Sequence, residues 1–438
     1  MTRSQSLRKK ILEQVAEYYR LVHEDKEFIP GESRVHYAGR VFDENEMTSM
    51  VGSVLDFWLT AGPEAEMFEK KLGSFLGVRE IIPVNSGSSA NLVAVSALSS
   101  KQLRNGLRPG DEVIVPAASF PTTINPIIQN DLVPVFIDSR LGDYNLDPER
   151  LEAARSTRTR AVMFAHTLGN PVEMDMIMDF VRKHDLFLIE DSCDALGSRW
   201  DGKLVGTFGH IATLSFYPAH HITLGEGGAA FTKSRMLAKI ARSIRDWGRD
   251  CWCGYDNPVN GRCGKRFERE IPGFDGYYDH RYLYTEIGYN LKLTDPQAAV
   301  GLAQLDKLPG FISRRKENFN YLFEALSSHE EFLIMPRWHK KADPSWFAFP
   351  LCVRDSAPFN RYELTRYLEQ RGVETRTLFA GNIMMQPAYK NVNYRASGDL
   401  NVADQIMRGA FFIGVYPGLD GQRLDYLIDA FNQFFQDS

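Results

Sequence analysis

From about residue 60 to residue 310, short β-rich runs alternate with stretches of helical spacing, and no other feature of this chain restricts its fold as much. The runs are IIPV, DEVIVPA, VPVFID, AVMFAH, LFLIED and ATLSF, in that order. Strands this continuously apolar are covered on both faces. Their alternation with helices predicts an α/β fold with a mostly parallel central sheet and helices on either side. A chain of 438 residues exceeds what one core usually holds, so a second, smaller domain is expected. Ile312 to Ala325 reads as a helix leading out of the first domain past a linker near Pro309-Gly310, and SWFAFPLCVR, FNRYELTRYLEQRG and VETRTLF then suggest a smaller α+β C-terminal domain. The expected division is 1–59, an N-terminal helical segment packing with the small domain; 60–310, a large domain interrupted by an insertion at 247–288; and 311–438. Leu7, Ile11, Val15, Tyr18, Tyr19 and Val22 predict an amphipathic helix over 6–24.

Charge and composition exclude several functions. The 51 basic and 56 acidic residues are mixed along the chain, which argues against a nucleic-acid partner. No stretch approaches the roughly 18 apolar residues of a membrane span, and the N-terminus lacks a signal core, so a cytoplasmic protein is expected. In a reducing compartment five cysteines point to metal or redox chemistry before disulfides.

Three segments carry the chemistry. Asn85-Ser86-Gly87-Ser88-Ser89 precedes the apolar helix LVAVSAL and offers backbone N–H groups and hydroxyls to an anion, although serine capping alone would explain it. Asp191 ends the strand LFLI, at the edge where open α/β sheets collect ligands. The run from Ser215 to Gly228 contains His220 and His221, groups able to exchange a proton near neutral pH. His221 fits either a substrate contact or a packing role.

The run Ser215-Phe216…His220…Gly225-Glu226-Gly227-Gly228 resembles the signature of the sugar aminotransferases related to DegT, DnrJ and StrS, which have the aspartate aminotransferase fold (PLP fold type I). GDEVIVPA, DYNLDPERLEAA, IEDSCDALGS and GYNLKLTDPQAAVGLAQL resemble further family segments in family order. The resemblance implies that Gly87, Ser88 and Ser215 bind the cofactor phosphate, that Phe120 stacks on its ring and that Asp191 pairs with its pyridine nitrogen. It also implies a homodimer in which Asn290 reaches the phosphate of the neighbouring subunit. Two departures matter. His220 stands where the family has its Schiff-base lysine, and an imidazole forms no stable imine. Asp194 stands where the family usually has Gln or His, beside the ring's 3-hydroxyl. Together they imply pyridoxamine 5′-phosphate (PMP, rather than PLP) held without a covalent bond, with His220 as the catalytic base.

The cysteines Cys193, Cys251, Cys253 and Cys263 have the spacing C-x57-C-x-C-x9-C. Spacing alone leaves zinc, iron–sulfur and plain packing open; Cys352 sits in an apolar run and reads as core. Cys193 lies two residues from Asp191, at most about 7 Å of chain, so a metal there would sit near the cofactor. Histidine in place of lysine combined with these cysteines resembles the branch of the family that carries PMP and a [2Fe-2S] cluster. That resemblance implies removal of the C3 hydroxyl of CDP-4-keto-6-deoxy-D-glucose through a cofactor–sugar adduct. Electrons would come from an NADH-dependent flavin and iron–sulfur reductase, and the product would serve 3,6-dideoxyhexose and O-antigen biosynthesis. A lysine-less dehydrase without a redox cluster, or a noncatalytic nucleotide-sugar-binding protein with structural zinc, are the alternatives.

Overall fold

A computed structural model describes residues 1–24, 27–251, 253 and 263–436. The large domain is built on an eight-stranded sheet whose strands include β1 (Glu80–Val84), β2 (Glu112–Pro116), β3 (Val133–Ile137), β4 (Thr159–Ala165), β5 (Phe187–Asp191), β6 (Ile211–Ser215) and β7 (Gly228–Thr232). The order across it is β1-β7-β6-β5-β4-β2-β3, closed at one edge by the short strand Arg395–Ala396. Only β7 runs antiparallel to its neighbours; the remaining pairings from β6 to Arg395–Ala396 are parallel. This is the mostly parallel sheet that the uninterrupted apolar runs predict, and β2, β3, β6 and β7 are buried along their whole length.

Helices pack on the sheet and on one another. In chain order these are α1 (Arg3–Val22), α2 (Glu44–Asp56), α3 (Pro63–Leu76), α4 (Gly87–Leu98), α5 (Pro121–Gln129), α6 (Met174–Lys183), α7 (Arg235–Arg245) and α8 (Asp295–Leu326). No helix among the described residues is long and apolar enough to cross a membrane. α3 begins at Gly62, which has no side chain to cap it. The carboxylate of Asp295 does so from the start of α8, accepting from Gly62 N at 2.6 Å and Ala65 N at 3.0 Å. α8 itself runs for 32 residues straight through Pro309 and Gly310, so no linker separates the two domains there. A proline costs a helix one hydrogen bond and some strain, and here the packing of α2 and α3 along α8 offsets it.

The small domain has a four-stranded antiparallel sheet of Leu333–Ile334, Ala348–Val353, Ala410–Gly414 and Arg376–Thr377, in that order. Its core joins Phe349, Leu351, Phe411 and Phe431 to Phe319 and Leu322 from the far end of α8. The rings of Phe319 and Trp346 stack at 3.8 Å between centroids. Residue 35 pairs with residue 373 through a β-bridge, so the N-terminal segment touches the small domain there, while α1 lies on α2.

The insertion closes where two glycines meet. A Cβ on Gly248 would stand 1.9 Å from the Glu286 carbonyl oxygen, and one on Gly288 would stand 2.4 Å from Gly248 N, so only bare backbone fits. Between 247 and 288 the described residues form a two-residue ladder, Arg269–Glu270 with Tyr277–Tyr278, and a 3₁₀ turn at His280–Tyr282.

Candidate active site and cysteine centre

A cleft of about 480 Å³ opens at the C-terminal ends of the parallel strands, walled on the far side by the small domain. Gly87, Ser88, Phe120, Asp191, Asp194, Ser215 and His220 all line it, so seven of the residues singled out in the sequence share one cavity. Asn290 lies on the surface outside the cleft of its own chain, its Oδ1 accepting from Lys292 Nζ at 2.6 Å.

One end of the cleft is shaped for an anion. Ser86 caps α4, its Oγ accepting from Ser89 N at 3.1 Å, and the first turn of the helix presents its N–H groups to the cavity. Gly87 is obligatory there: an added Cβ would stand 2.5 Å from Ser215 Cβ and 3.0 Å from Cys193 Sγ. Gly228 is equally confined, since its Cβ would stand 2.4 Å from the Ser86 carbonyl carbon. The strand that ends in Ser215 therefore presses directly on the helix that opens with Gly87.

Asp191 is clamped in the middle of the cleft. Its Oδ2 accepts from Asn91 Nδ2 and from Thr123 Oγ1, both at 2.8 Å, and its Oδ1 accepts from Cys193 N at 3.2 Å. Thr213 Oγ1 donates to Asn91 Oδ1 at 2.7 Å, which fixes the amide with its NH₂ toward the carboxylate. Asn91, Thr123 and Thr213 escaped sequence reading because each belongs to a different element and only the fold unites them. One face of Asp191 is left for a pyridinium N–H. Phe120, at the N-terminus of α5, is 47 % exposed and meets Phe379 edge to face at 5.6 Å, so its face is available for stacking.

His220 approaches Asp194 with Nδ1 3.4 Å from Oδ1. This is no ion pair at neutral pH. Burial and the Arg315 guanidinium hold the imidazole down, to about 3, so it is neutral and able to accept a proton. Burial and the charge of Asp191 push the Asp194 carboxyl up to about 7. Arg315, buried on α8, donates from Nη2 to the His220 carbonyl at 3.1 Å and from Nη1 to the Phe347 carbonyl at 2.9 Å. It ties the His220 loop to the small domain. His221 points away, its Nε2 donating to the Ser345 carbonyl at 2.9 Å, so the packing role is the one it has.

The cysteines form two groups. Cys193 lines the cofactor cleft. In the insertion the ligand atoms of Cys251, Cys253 and His280 lie within 4.8 Å of one another. Cys263 Sγ is 3.5 Å from Cys253 Sγ and 3.3 Å from His280 Nε2. His280 thus stands beside the three insertion cysteines, while Cys193, the remaining member of the four-cysteine set read from the sequence, lines the cleft. The 3₁₀ turn that carries His280 brings it 27 residues back onto Cys253, a return that the spacing of cysteines could not reveal. His280 Nδ1 lies 3.4 Å from the Asp250 carbonyl, which leaves Nε2 facing sulfur. None of the five cysteines is in a disulfide. Cys352 is buried in the core.

The model for the DegT/DnrJ/EryC1/StrS aminotransferase family matches residues 42–432. The chain is 49 % identical over 433 residues to the lipopolysaccharide biosynthesis protein RfbH of Salmonella typhimurium, covering 98 % of each chain. It is 46 % identical to the dTDP-4-dehydro-2,6-dideoxy-D-glucose 3-dehydratase of Saccharopolyspora spinosa, covering 97 % of this chain and 91 % of that one. The structure of the E. coli GDP-4-keto-6-deoxy-D-mannose 3-dehydratase with bound hydrated PLP superposes with a TM-score of 0.82 at 26 % identity, covering 91 % of this chain and 99 % of the other.

Proposed function

The chain belongs to the DegT/DnrJ/EryC1/StrS aminotransferase family, and we propose that within it this protein is a PMP-dependent nucleotide-sugar 3-dehydrase that draws electrons from a [2Fe-2S] cluster. The observation that carries this reading is an imidazole, His220, in the cleft that holds the clamped Asp191. The substrate assigned is CDP-4-keto-6-deoxy-D-glucose, on the way to a 3,6-dideoxyhexose; similarity to a lipopolysaccharide biosynthesis protein supports that setting. Similarity to two nucleotide-sugar 3-dehydratases supports loss of the C3 hydroxyl.

PMP, when bound, supplies an amine that condenses with a ketone and a conjugated ring that takes up an electron pair. The N-terminus of α4 with Ser88 and Ser215 would hold its phosphate, and Asp191 would keep its pyridine nitrogen protonated. Phe120 would cover the ring and exclude water from one face. His220, neutral at working pH, would be the base placed to accept a proton from the cofactor's C4′ carbon as the C3 hydroxyl is lost. Asn290 would serve the partner subunit of a homodimer.

The donor set of the insertion fits a cluster, since [2Fe-2S] centres accept four thiolates or a mixture of thiolate and imidazole. Cys251, Cys253 and Cys263 would take three positions; Cys193 is the sequence's candidate for the fourth, and His280 is the group that stands beside the three. The reduction would then use single electrons from a flavin and iron–sulfur reductase. Three thiols with one imidazole also suit structural zinc, and that favours a second reading, a lysine-less dehydrase without redox chemistry.

Protein purified without oxygen decides between them. About two iron and two sulfide per chain, with visible bands bleached by dithionite, is the expected result; zinc with no colour would sink the redox reading. His220→Ala protein loaded with PMP should bind CDP-4-keto-6-deoxy-D-glucose yet dehydrate it at least about a hundredfold more slowly, the scale of a lost general base.

A further inference from the structure

We propose that Arg376, at the small-domain wall of the cleft, is the residue that receives the diphosphate of the substrate. This rests on the nucleotide-sugar reading above and adds to it a specific anion subsite. The charges lining the cleft are unbalanced: Asp191 and Glu226 are carboxylates, Asp194 is a carboxyl pushed up to about 7, His220 is neutral at pH 7, and Arg376 is the one arginine or lysine among the described lining residues. A diphosphate carries at least two negative charges into this surrounding. It needs a cation within the cleft, because like charges in a partly buried site repel strongly.

The end of the cleft at the N-terminus of α4 is built for the cofactor phosphate, and the opposite end is of different make. There Phe347, Phe379, Phe412 and Tyr37 form an aromatic wall around Arg376 and Thr377. Arg376 lies in the edge strand of the small sheet, and its guanidinium stacks 4.2 Å above the Tyr37 ring. It is 45 % exposed, and Nη1 donates to the Thr375 carbonyl at 2.6 Å. Its carboxylate neighbours are at ion-pair range only, Glu369 at 3.8 Å and Glu374 at 4.0 Å. Both are more closely engaged elsewhere: Glu369 accepts from Thr375 N at 2.6 Å, and Glu374 lies 3.0 Å from His36 Nδ1. The stack on Tyr37 fixes the plane of the guanidinium, and a planar fork of N–H donors is what bidentate recognition of phosphate uses. The sugar ring then lies between this wall and the cofactor, with the nucleoside directed outward past Arg376.

Calorimetric titration of the PMP-loaded protein with CDP, and with GDP and dTDP for comparison, tests the assignment. The unaltered protein should bind CDP. Arg376→Gln should weaken that binding by about ten- to a hundredfold, the loss expected for a charged hydrogen-bonding pair, while PMP loading and melting temperature stay unchanged. Arg376→Lys, which keeps the charge and loses the fork, should fall between the two. Added salt should weaken CDP binding more steeply in the unaltered protein than in Arg376→Gln. Equal CDP affinity in Arg376→Gln and the unaltered protein would overturn the role of Arg376 and leave the nucleotide-sugar reading standing. Loss of PMP along with CDP in Arg376→Gln would mean that the residue acts through the fold, and overturns the subsite. If the loaded, unaltered protein bound none of the three nucleotides, both the subsite and the nucleotide-sugar reading would fall.

Discussion

Asp194 and His220 sit side by side with their titrations displaced in opposite directions, and the stability of the protein should record it. Asp194 holds its proton up to about 7 in the folded chain against 3.8 as its ordinary value, so between roughly pH 4 and 7 its contribution falls as pH rises. His220 is held to about 3 against 6.5, so it does the reverse: its contribution rises from about pH 3 to 6.5. The two slopes oppose each other over most of that window. Asp194→Asn removes the falling one. Its melting temperature relative to the unaltered protein should therefore climb steadily from pH 4 to pH 7, and a flat difference would show that Asp194 is ionised throughout. His280 is the other residue whose environment sets its use. Its imidazole faces the sulfurs of Cys253 and Cys263, so His280→Ala should shift the midpoint potential or the reduced-state magnetic spectrum of the cluster proposed for the insertion. An unchanged spectrum and potential would make His280 a bystander.

At the level of elements, the site depends on how closely β6 and α4 approach. Gly87→Ala places a methyl 2.5 Å from Ser215 Cβ, and no rotamer of serine moves its Cβ away. The strand or the helix must give way, at a cost of about 1–3 kcal/mol for an overpacked site. The measurement is PMP affinity together with thermal melting; loss of affinity with an unaltered sheet would tie the phosphate site to this contact. Sequence reading was strong here and weak nearby. β1 to β6 are legible because strands buried on both faces are apolar, whereas β7 escapes sequence reading; Gly87 and Ser88 are legible because a helix start after a strand is recognisable, and Ser215 only through the family resemblance. The clamp on Asp191 is not legible: Asn91 looks like any helix residue and Thr123 like any turn residue until α4 and α5 are brought against β5.

For the whole molecule, the insertion and the core should behave as separable parts. Between 247 and 288, Cys253 is the one buried apolar side chain among the described residues, so the insertion adds almost nothing to the hydrophobic cores. Removing metal with a chelator should speed hydrogen exchange across residues 263–286 and leave β2 to β5 as protected as before. Simultaneous loss of protection in the central sheet would show that the metal centre stabilises the entire protein. The cysteine spacing made the insertion legible but not the nearness of His280, since a side chain that returns from a turn after a gap in the pattern leaves no periodic trace. The break expected at Pro309-Gly310 failed for a related reason: those residues weaken a helix locally, and only the packing along its length decides whether it continues.

That continuity fixes what length changes natural relatives can tolerate. α8 caps α3 with Asp295, binds Glu46 of α2 through Gln304 and Lys307, holds the His220 loop with Arg315, and ends inside the small-domain core at Phe319 and Leu322. These four attachments are in phase only for the present count of residues. Inserting one residue after Pro309 turns everything beyond it by about 100° and advances it by about 1.5 Å, which carries Arg315 off the His220 carbonyl and Phe319 out of its stack. This helix is therefore held to a set length by all four attachments at once.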